Sequence, residues 1–216
     1  MIKTLCVDLQ IRDFKETLDL QHRLVELRTR GSIPDVLLLV EHPHVITMGK
    51  SAKPQNILFR QYPIYEIERG GDVTYHGYGQ LVGYPILDLS LLNKDVRSYL
   101  RKLESVLIET VTAFGINAQR IEGKTGVWVE QRKIASIGVA VRGWITFHGF
   151  ALNVSTDLSR FDAVNPCGYE SRIMTSMTKE VGRPVSISEV KGPLTKIFSC
   201  AFDTELEQTN IAALNL

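Results

Sequence analysis

The stretch RGGDVTYHGYGQ, Arg69–Gln80, is the part of the chain that decides the fold. It places four glycines, at positions 70, 71, 77 and 79, among polar side chains of several kinds. Glycine weakens a strand, so glycines in a strand-like stretch often mark a bulge or a place where a ligand approaches the backbone. A guanidinium, a hydroxyl, a phenol and an imidazole lie between them. The stretch therefore predicts a binding wall, without indicating what binds there.

Hydrophobic periodicity on both sides of this wall predicts the regular structure. The predicted strands are residues 2–9, 36–40, 44–48, 64–68, 82–89, 126–130, 133–141 and 144–153. A first helix follows Asp13, which caps it and forms a capping box with Glu16, and it ends at Gly31. A second spans 96–114, where apolar residues recur every three or four positions, and a third spans 187–202, capped by Ser186 and Glu189.

Two short turns set the sheet type. The turns at 131–132 and 142–143 are too short for a parallel crossover, so the three strands around them form an antiparallel meander. With helices before and after the meander, the pattern predicts one α+β domain over residues 1–216. Its sheet is mixed and mainly antiparallel, and helices flank it.

Composition excludes several classes of function. The net charge of +1 in 216 residues argues against a dedicated nucleic-acid-binding protein, although basic residues cluster at positions 97, 101 and 102 and near 120–133. No apolar run approaches the ~18 residues that span a bilayer. The N-terminus lacks a secretory pattern, and three cysteines without tight spacing indicate reduced thiols in the cytoplasm.

Cys167 is the best candidate nucleophile. It lies between Pro166 and Gly168 in a predicted loop, where the thiol is accessible and backbone amides can stabilise an oxyanion. Cys6 and Cys200 lie in predicted regular structure and fit the commoner pattern of small buried hydrophobes. From spacing alone, the same buried role stays open for Cys167.

A thiol nucleophile needs a neighbouring cation. With a pKa near ~8.5, only about 3% of a free thiol is thiolate at pH 7, and a nearby positive charge raises that fraction. Lys133, His76 and His148 are the candidates, each with a structural or solvent-exposed alternative. Strict alternation puts Lys133 on the opposite face of its strand from Ser136 and Gly138. Either a bulge realigns Lys133 or the 136–138 stretch contributes backbone atoms, and we expect the backbone contact.

Other common sites have no sequence signature. The run His42-Pro43-His44 lacks further ligands at metal-binding spacing, so no metal is predicted. Phosphate-binding loops, dinucleotide fingerprints and the Gly-x-Ser-x-Gly elbow are also missing.

Taken in order, six segments resemble the lipoyl(octanoyl) transferase family. They are residues 69–77 (RGGDVTYHG), 79–85 (GQLVGYP), 126–129 (GVWV), 133–138 (KIASIG), 148–153 (HGFALN) and 166–168 (PCG). Each is weak alone, but their order along most of the chain is specific. Two positions depart from the family pattern: Tyr78 replaces a usual proline and Ser136 a common alanine, which puts the shape of the pocket wall in doubt.

The resemblance implies a fold similar to the catalytic domains of lipoate and biotin protein ligases. It implies a cytoplasmic enzyme that takes octanoyl from acyl carrier protein. No cofactor is predicted, and a monomer is the default expectation. The acceptors would be lysines of lipoyl domains in 2-oxoacid dehydrogenase complexes and of the glycine cleavage H protein. It makes Cys167 the acylated nucleophile and Lys133 the residue that favours its thiolate. The implied acyl-pocket residues are Arg69, Gly70, Gly71, Asp72, Val73, Thr74, Tyr75, His76, Ser136, Ile137, Gly138, Gly149, Phe150 and Ala151.

Two alternatives stay open. An ATP-dependent lipoate or biotin protein ligase shares the arginine, the glycine run and the following histidine, but needs no acyl-cysteine. A non-catalytic module that binds acyl carrier protein is the second. Cys167 together with Lys133 favours the transferase.

Overall fold

The structure, a computed structural model, describes residues 2–166 and 171–214, so Cys167 lies outside the described residues. Its strands are β1 (Ile2–Ile11), β2 (Asp35–Glu41), β3 (Val45–Met48), β4 (Ile64–Glu66), β5 (Val73–His76), β6 (Gln80–Ile86), β7 (Gln119–Ile121), β8 (Lys124–Val129), β9 (Arg132–Arg142), β10 (Ile145–Asn153) and β11 (Thr204–Thr209). The helices are α1 (Phe14–Thr29), α2 (Val96–Thr112), α3 (Met177–Val181) and α4 (Ile187–Phe202). None of these helices is long and apolar enough to cross a membrane.

The strands form two sheets. The larger has eight strands in the order β11-β1-β2-β6-β10-β9-β8-β7. Its first three strands run parallel, and every later pair is antiparallel, including the predicted meander β8-β9-β10. The smaller sheet has the order β4-β3-β5. The predicted mixed, mainly antiparallel α+β fold is confirmed, but the sequence did not indicate that β3, β4 and β5 separate into a sheet of their own.

Helices cover both faces of the large sheet, as the packing of β2 shows. Val36, Leu38 and Val40 pack in one apolar cluster with α1, whereas Leu37 and Leu39 pack in another with α2 and α4. Because neighbouring residues of a strand face opposite sides, an unbroken apolar run fits a strand that is buried on both faces. The sheet is therefore the rigid central layer from which the site is built.

The helix boundaries follow their caps. The Asp13 side chain accepts the amide of Glu16 at the start of α1, but the Glu16 carboxylate lies 3.3 Å from Nε of Arg12 and the predicted capping box is not seen. At α4 the box is complete, since Ser186 and Glu189 each accept the other's backbone amide. The predicted bounds of this helix are confirmed.

Candidate active site

The glycine-rich stretch passes close over β9 before it enters β5. The amide of Gly70 donates to the carbonyl of Val139 at 2.9 Å. A Cβ at Gly138 would lie 2.9 Å from Cδ of Arg69 and 3.1 Å from the carbonyl oxygen of Gly70. A side chain at position 138 would crowd this crossing, so Gly138 allows the two backbones to lie close together.

A cavity lies beneath this crossing; we call it the inner cavity. Eleven of the predicted pocket residues line it: Arg69, Gly70, Gly71, Thr74, His76, Ser136, Ile137, Gly138, Gly149, Phe150 and Ala151. Phe14, Ile67, Val82, Tyr84 and His148 complete the lining. The mixture of apolar walls with a few polar groups suits an apolar chain that carries one polar end.

Three residues of the predicted wall lie elsewhere. Val73 and Tyr75 point into the apolar cluster of the small sheet, because alternate residues of β5 face opposite sides. Asp72 accepts hydrogen bonds from the amides of Lys53 and Val73 and from Nδ2 of Asn56, at 2.5–2.9 Å. The predicted pocket role of Val73 and Tyr75 is therefore replaced by a structural one.

Arg69 is fixed by the small sheet. Its guanidinium donates to the carbonyl oxygen of Thr47 at 2.8 Å, to the hydroxyl of the same residue at 3.0 Å, and to the carbonyl of Gly70 at 3.0 Å. The side chain is buried. Arg69 therefore anchors the glycine-rich stretch to the small sheet at the wall of the inner cavity.

Two glycines bring β6 and β10 together at the cavity wall. A Cβ at Gly149 would lie 2.1 Å from the carbonyl oxygen of Gly83, and a Cβ at Gly83 would overlap the ring of Phe150. Beside them, His148 has φ +55°, a left-handed conformation uncommon for histidine, and its amide donates to Oε1 of Gln21 at 2.8 Å. The two glycines thus leave no room for a side chain where β6 and β10 meet at this wall.

The histidines at the cavity are neutral at neutral pH. Burial lowers the pKa of His76 to about 3 and that of His148 to about 4. Burial also lowers the pKa of His42 to about 4, and its Nδ1 donates to the carbonyl of Arg12 at 2.7 Å, so Nε2 accepts from the Tyr84 hydroxyl. Neither His76 nor His148 therefore supplies a cation for a thiolate.

These buried histidines predict loss of stability in acid. Above about pH 6.5 they are neutral in both states and contribute nothing, but below it only the unfolded chain gains protons, until the folded pKa values of about 3 to 4 are reached. Urea unfolding at pH 7.5 and 5 should show a free energy of unfolding lower at pH 5 by about 2 kcal/mol per histidine. His76→Gln should reduce that difference by its share; an unchanged difference contradicts the assignment.

A bulge in β9 decides where Lys133 points. Trp128 pairs with Lys133, but the preceding residue Val127 pairs with Ala135, so Ile134 is the extra residue. Ile134 and Ala135 both pack in the core, and Lys133 takes the opposite face, with Nζ 5.3 Å from the ring centroid of Trp128. The expectation of a backbone contact is therefore wrong. The bulge puts Lys133 on the same face of β9 as Ser136 and Gly138.

Lys133 lines a second cavity, here called the lysine cavity. Its side chain is buried, with 4% of the residue exposed. The two cavities share four lining residues, Gly70, Gly71, Ile137 and Gly138. The glycine crossing is thus the boundary between an apolar chamber and a chamber that holds a lysine.

Both chain segments next to residues 167–170 are attached near these cavities. On one side, the Asn165 amide donates to the carbonyl of Asn56, whose side chain donates to Asp72. On the other, the Thr175 amide donates to the carbonyl of Lys133 at 3.0 Å. The described residues on the two sides of this segment therefore lie beside the glycine-rich stretch and beside the strand of Lys133.

A family comparison agrees with this arrangement. The model of the lipoyl protein ligase A/B catalytic domain matches residues 13–199, a range that includes both cavities, Lys133 and Cys167. The chain belongs to this family. The predicted family resemblance is confirmed.

Individual relatives and solved structures agree with the family match. The octanoyltransferase of Syntrophotalea carbinolica is 47% identical over 207 residues, which cover 96% of this chain and 98% of the relative. A lipoate-protein ligase A bound with ATP shares the fold with a TM-score of 0.75 at 19% identity, over 98% of this chain and 90% of the ligase. The biotin protein ligase of Aquifex aeolicus gives 0.54 at 13% identity, over 94% and 70%. The predicted likeness to lipoate and biotin ligases is confirmed at the level of fold.

The two cysteines outside the family motif have different surroundings. Cys6 is buried in the core, and burial raises the pKa of its thiol to about 11, as expected for a structural residue. Cys200 was predicted to be buried but is exposed. Phe198 and Phe202 lie on the buried face of α4, and position 200 lies on the opposite face of the helix.

Sequence reasoning missed several cavity residues. Phe14 lies at the start of α1 and Ile67 in the loop after β4. Their apolar character was the only sequence signal at these two positions. Tyr84 belongs to the 79–85 motif, but its side chain had no assigned place. Of the two family departures, Ser136 lines the inner cavity, whereas Tyr78 is exposed and packs against His44 at 5.1 Å between ring centroids. Among the residues described, no cluster of three acidic, histidine or cysteine side chains is arranged to hold a metal.

Proposed function

We propose that this chain transfers an octanoyl group from acyl carrier protein to a lysine of a lipoyl domain, through a thioester on Cys167. One observation carries the proposal: an apolar cavity and a chamber that holds Lys133 adjoin at a shared wall that includes Gly70 and Gly138. The inner cavity takes the acyl chain, and the lysine cavity takes the reacting carbonyl. A catalytic domain over residues 1–216, acting as a cytoplasmic monomer, performs both half-reactions.

The assignment to the octanoyltransferases, and so to the acyltransferases, is confirmed by the curated relatives that carry this name. They are 42–49% identical to the chain and match most of its length. The finer statements are proposals: the carrier-protein donor, the acyl-cysteine, and the lipoyl domains of 2-oxoacid dehydrogenase complexes and the glycine cleavage H protein as acceptors. A lipoate protein ligase of Thermoplasma acidophilum, described together with its E2 lipoyl domain, has the same fold as this chain. This likeness in fold supports a lipoyl domain as the acceptor.

The apolar chain supplies much of the binding energy. An octanoyl group has six methylenes, and at about 0.8 kcal/mol for each one buried they stabilise the bound chain by about 5 kcal/mol. Phe14, Val82 and Phe150 provide apolar surface for this burial. Arg69 lines the same cavity, and the glycine crossing forms the wall that this cavity shares with the lysine cavity.

The chemistry needs a thiolate and then a neutral amine. In the first half-reaction, the Cys167 thiolate attacks the donor thioester carbonyl, and the tether leaves as a thiolate that takes up a proton. In the second, the acceptor lysine amine attacks the acyl-cysteine, gives up a proton, and releases the Cys167 thiolate. Lys133 fits both needs, because its ammonium group stabilises the thiolate and its neutral amine accepts a proton from the acceptor lysine.

The direct test omits ATP. Incubation with octanoyl-acyl carrier protein should add one octanoyl group to the protein, seen by intact mass, and hydroxylamine should remove it. Transfer to a lipoyl domain should then proceed without nucleotide. Octanoylation that needs free octanoate and ATP would instead assign the ligase reaction, and no transfer under either condition would leave a binding module.

A further inference from the structure

A third cavity extends the lysine cavity away from the inner one. We call it the arginine cavity. It lies between the first half of α2 and the β7–β8 hairpin, and it shares Leu100, Gly123, Lys124 and Thr125 with the lysine cavity. The three cavities therefore follow one another, from the apolar chamber through Lys133 to the surface beside α2.

The outer two cavities carry an excess of positive charge. Arg97, Arg101, Lys124 and Lys133 line them, against Asp72 and Glu104. This is the basic cluster that the sequence shows near positions 97–101 and 120–133, and it is unevenly placed in a chain whose net charge is only +1. Glu122, in the hairpin turn, does not line either cavity.

Both acids are already engaged by the protein. Glu104 is 3% exposed at its side chain and binds Arg101 at 2.8 Å, Arg120 at 3.0 Å and the amide of Gly126 at 3.2 Å. The Asp72 carboxylate accepts three hydrogen bonds, described above. Arg97, by contrast, is exposed, and within the described part of the chain no carboxylate forms an ion pair with it. Arg97 is therefore the exposed charge of this surface that is available to a ligand.

Lys124 connects the outer chamber to the reaction site. Its Nζ lies 5.3 Å from the ring centroid of Trp128, the same distance as that of Lys133. The two ammonium nitrogens are therefore no further apart than twice this distance. The tether of a thioester donor can follow the adjoining cavities outward from the reacting carbonyl. With the carbonyl at Lys133, such a tether runs past Lys124 or along the wall that the two outer cavities share.

We infer that the arginine cavity binds the phosphate of a phosphopantetheine tether while the thioester is at Lys133, with Arg97 and Lys124 as the phosphate-binding side chains. The inference rests on the proposed function, since it takes an acyl-thioester donor for granted. A phosphodiester is an anion, and arginine presents several donors to its oxygens. The apolar chain, the thioester and the phosphate of one donor then occupy the inner, lysine and arginine cavities in order.

The test compares two donors that differ only in the phosphate: octanoyl-4′-phosphopantetheine and octanoyl-pantetheine. The second-order rate constant for acylation of the enzyme, followed by intact mass, should be about fivefold higher for the phosphorylated donor. Arg97→Gln and Lys124→Gln should bring the ratio close to one, and 0.5 M KCl should reduce it by screening. Lys196→Gln, which removes an exposed charge from α4 beside β11 at the other edge of the sheet, should keep the ratio.

Equal rate constants in the unmodified protein, or a ratio that Arg97→Gln leaves intact, would overturn the inference while the proposed function stands. Octanoyl-acyl carrier protein, run in parallel, tests the proposed function separately, and its failure to acylate the enzyme would contradict that function. The phosphate site is then measured by calorimetry with 4′-phosphopantetheine and pantetheine themselves. Tighter binding of the phosphorylated compound, lost in Arg97→Gln, supports the site, and equal affinities refute it.

Discussion

Replacing Cys167 with serine should abolish the octanoyl adduct and lower transfer to a lipoyl domain by at least about a thousandfold. A serine hydroxyl stays protonated near neutral pH and, unlike a thiol, is not converted to its anion by one nearby ammonium group. It is also the poorer leaving group when the acceptor amine attacks. Intact mass after incubation with octanoyl-acyl carrier protein measures the adduct, and the mass of the lipoyl domain measures transfer.

Cys200→Ser is the matched control, because Cys200 is the exposed thiol of the described residues. It lies on the outer face of α4, away from the lining of the three cavities. This variant should keep the adduct and the transfer rate. An adduct that survives in Cys167→Ser and disappears in Cys200→Ser would mean that acylation is a surface reaction, and the proposed intermediate would be wrong.

The elements with strong local signals were predictable from the sequence. The repeat of apolar residues every three or four positions fixed α2, and the capping box fixed α4 to the residue. The unbroken apolar run of β2 required burial on both faces. In each case a local pattern and the tertiary packing favour the same structure, so the local reading suffices.

The small sheet and the cavity walls depend on contacts that sequence patterns do not encode. β3, β4 and β5 have only three or four residues each, and β3 pairs in parallel with β4 across an intervening loop. Phe14 starts a helix whose stripe predicts core packing, yet its ring also lines the inner cavity. The wall glycines were recognisable as close-approach positions, but the partner of each approach comes from a distant strand.

The bulge at Ile134 is the feature that sequence alternation could not resolve, and it leads to the second large prediction. Alternation alone puts Lys133 with Ala135 in the core, where an ammonium group is costly to bury. One extra residue instead turns Lys133 toward Trp128 and the lysine cavity. The space is prepared for it, since a Cβ at Gly126 would lie 2.7 Å from Cε of Lys133. The site therefore depends on a break in strand regularity.

Lys133→Met should lower the rate constant for octanoyl transfer by about a hundredfold or more, because the charge that favours the thiolate and the base that accepts the acceptor's proton are both removed. Methionine keeps an unbranched chain over Trp128, so the thermal midpoint should change little. The pH at which Cys167 reacts with iodoacetamide should rise by about one unit or more. Cysteine alkylation mapped by peptide mass across pH measures this shift.

Lys133→Arg separates the two proposed roles of the lysine. Arginine keeps the positive charge but does not give up its proton at these pH values, so alkylation of Cys167 should keep its pH profile while transfer to the lipoyl domain stays low. Lys196→Met, on the surface of α4, should alter neither measurement. If Lys133→Met leaves the alkylation profile unchanged, the thiolate role fails. If Lys133→Arg transfers octanoyl at the unmodified rate, the proton goes elsewhere and Lys133 acts through its charge alone.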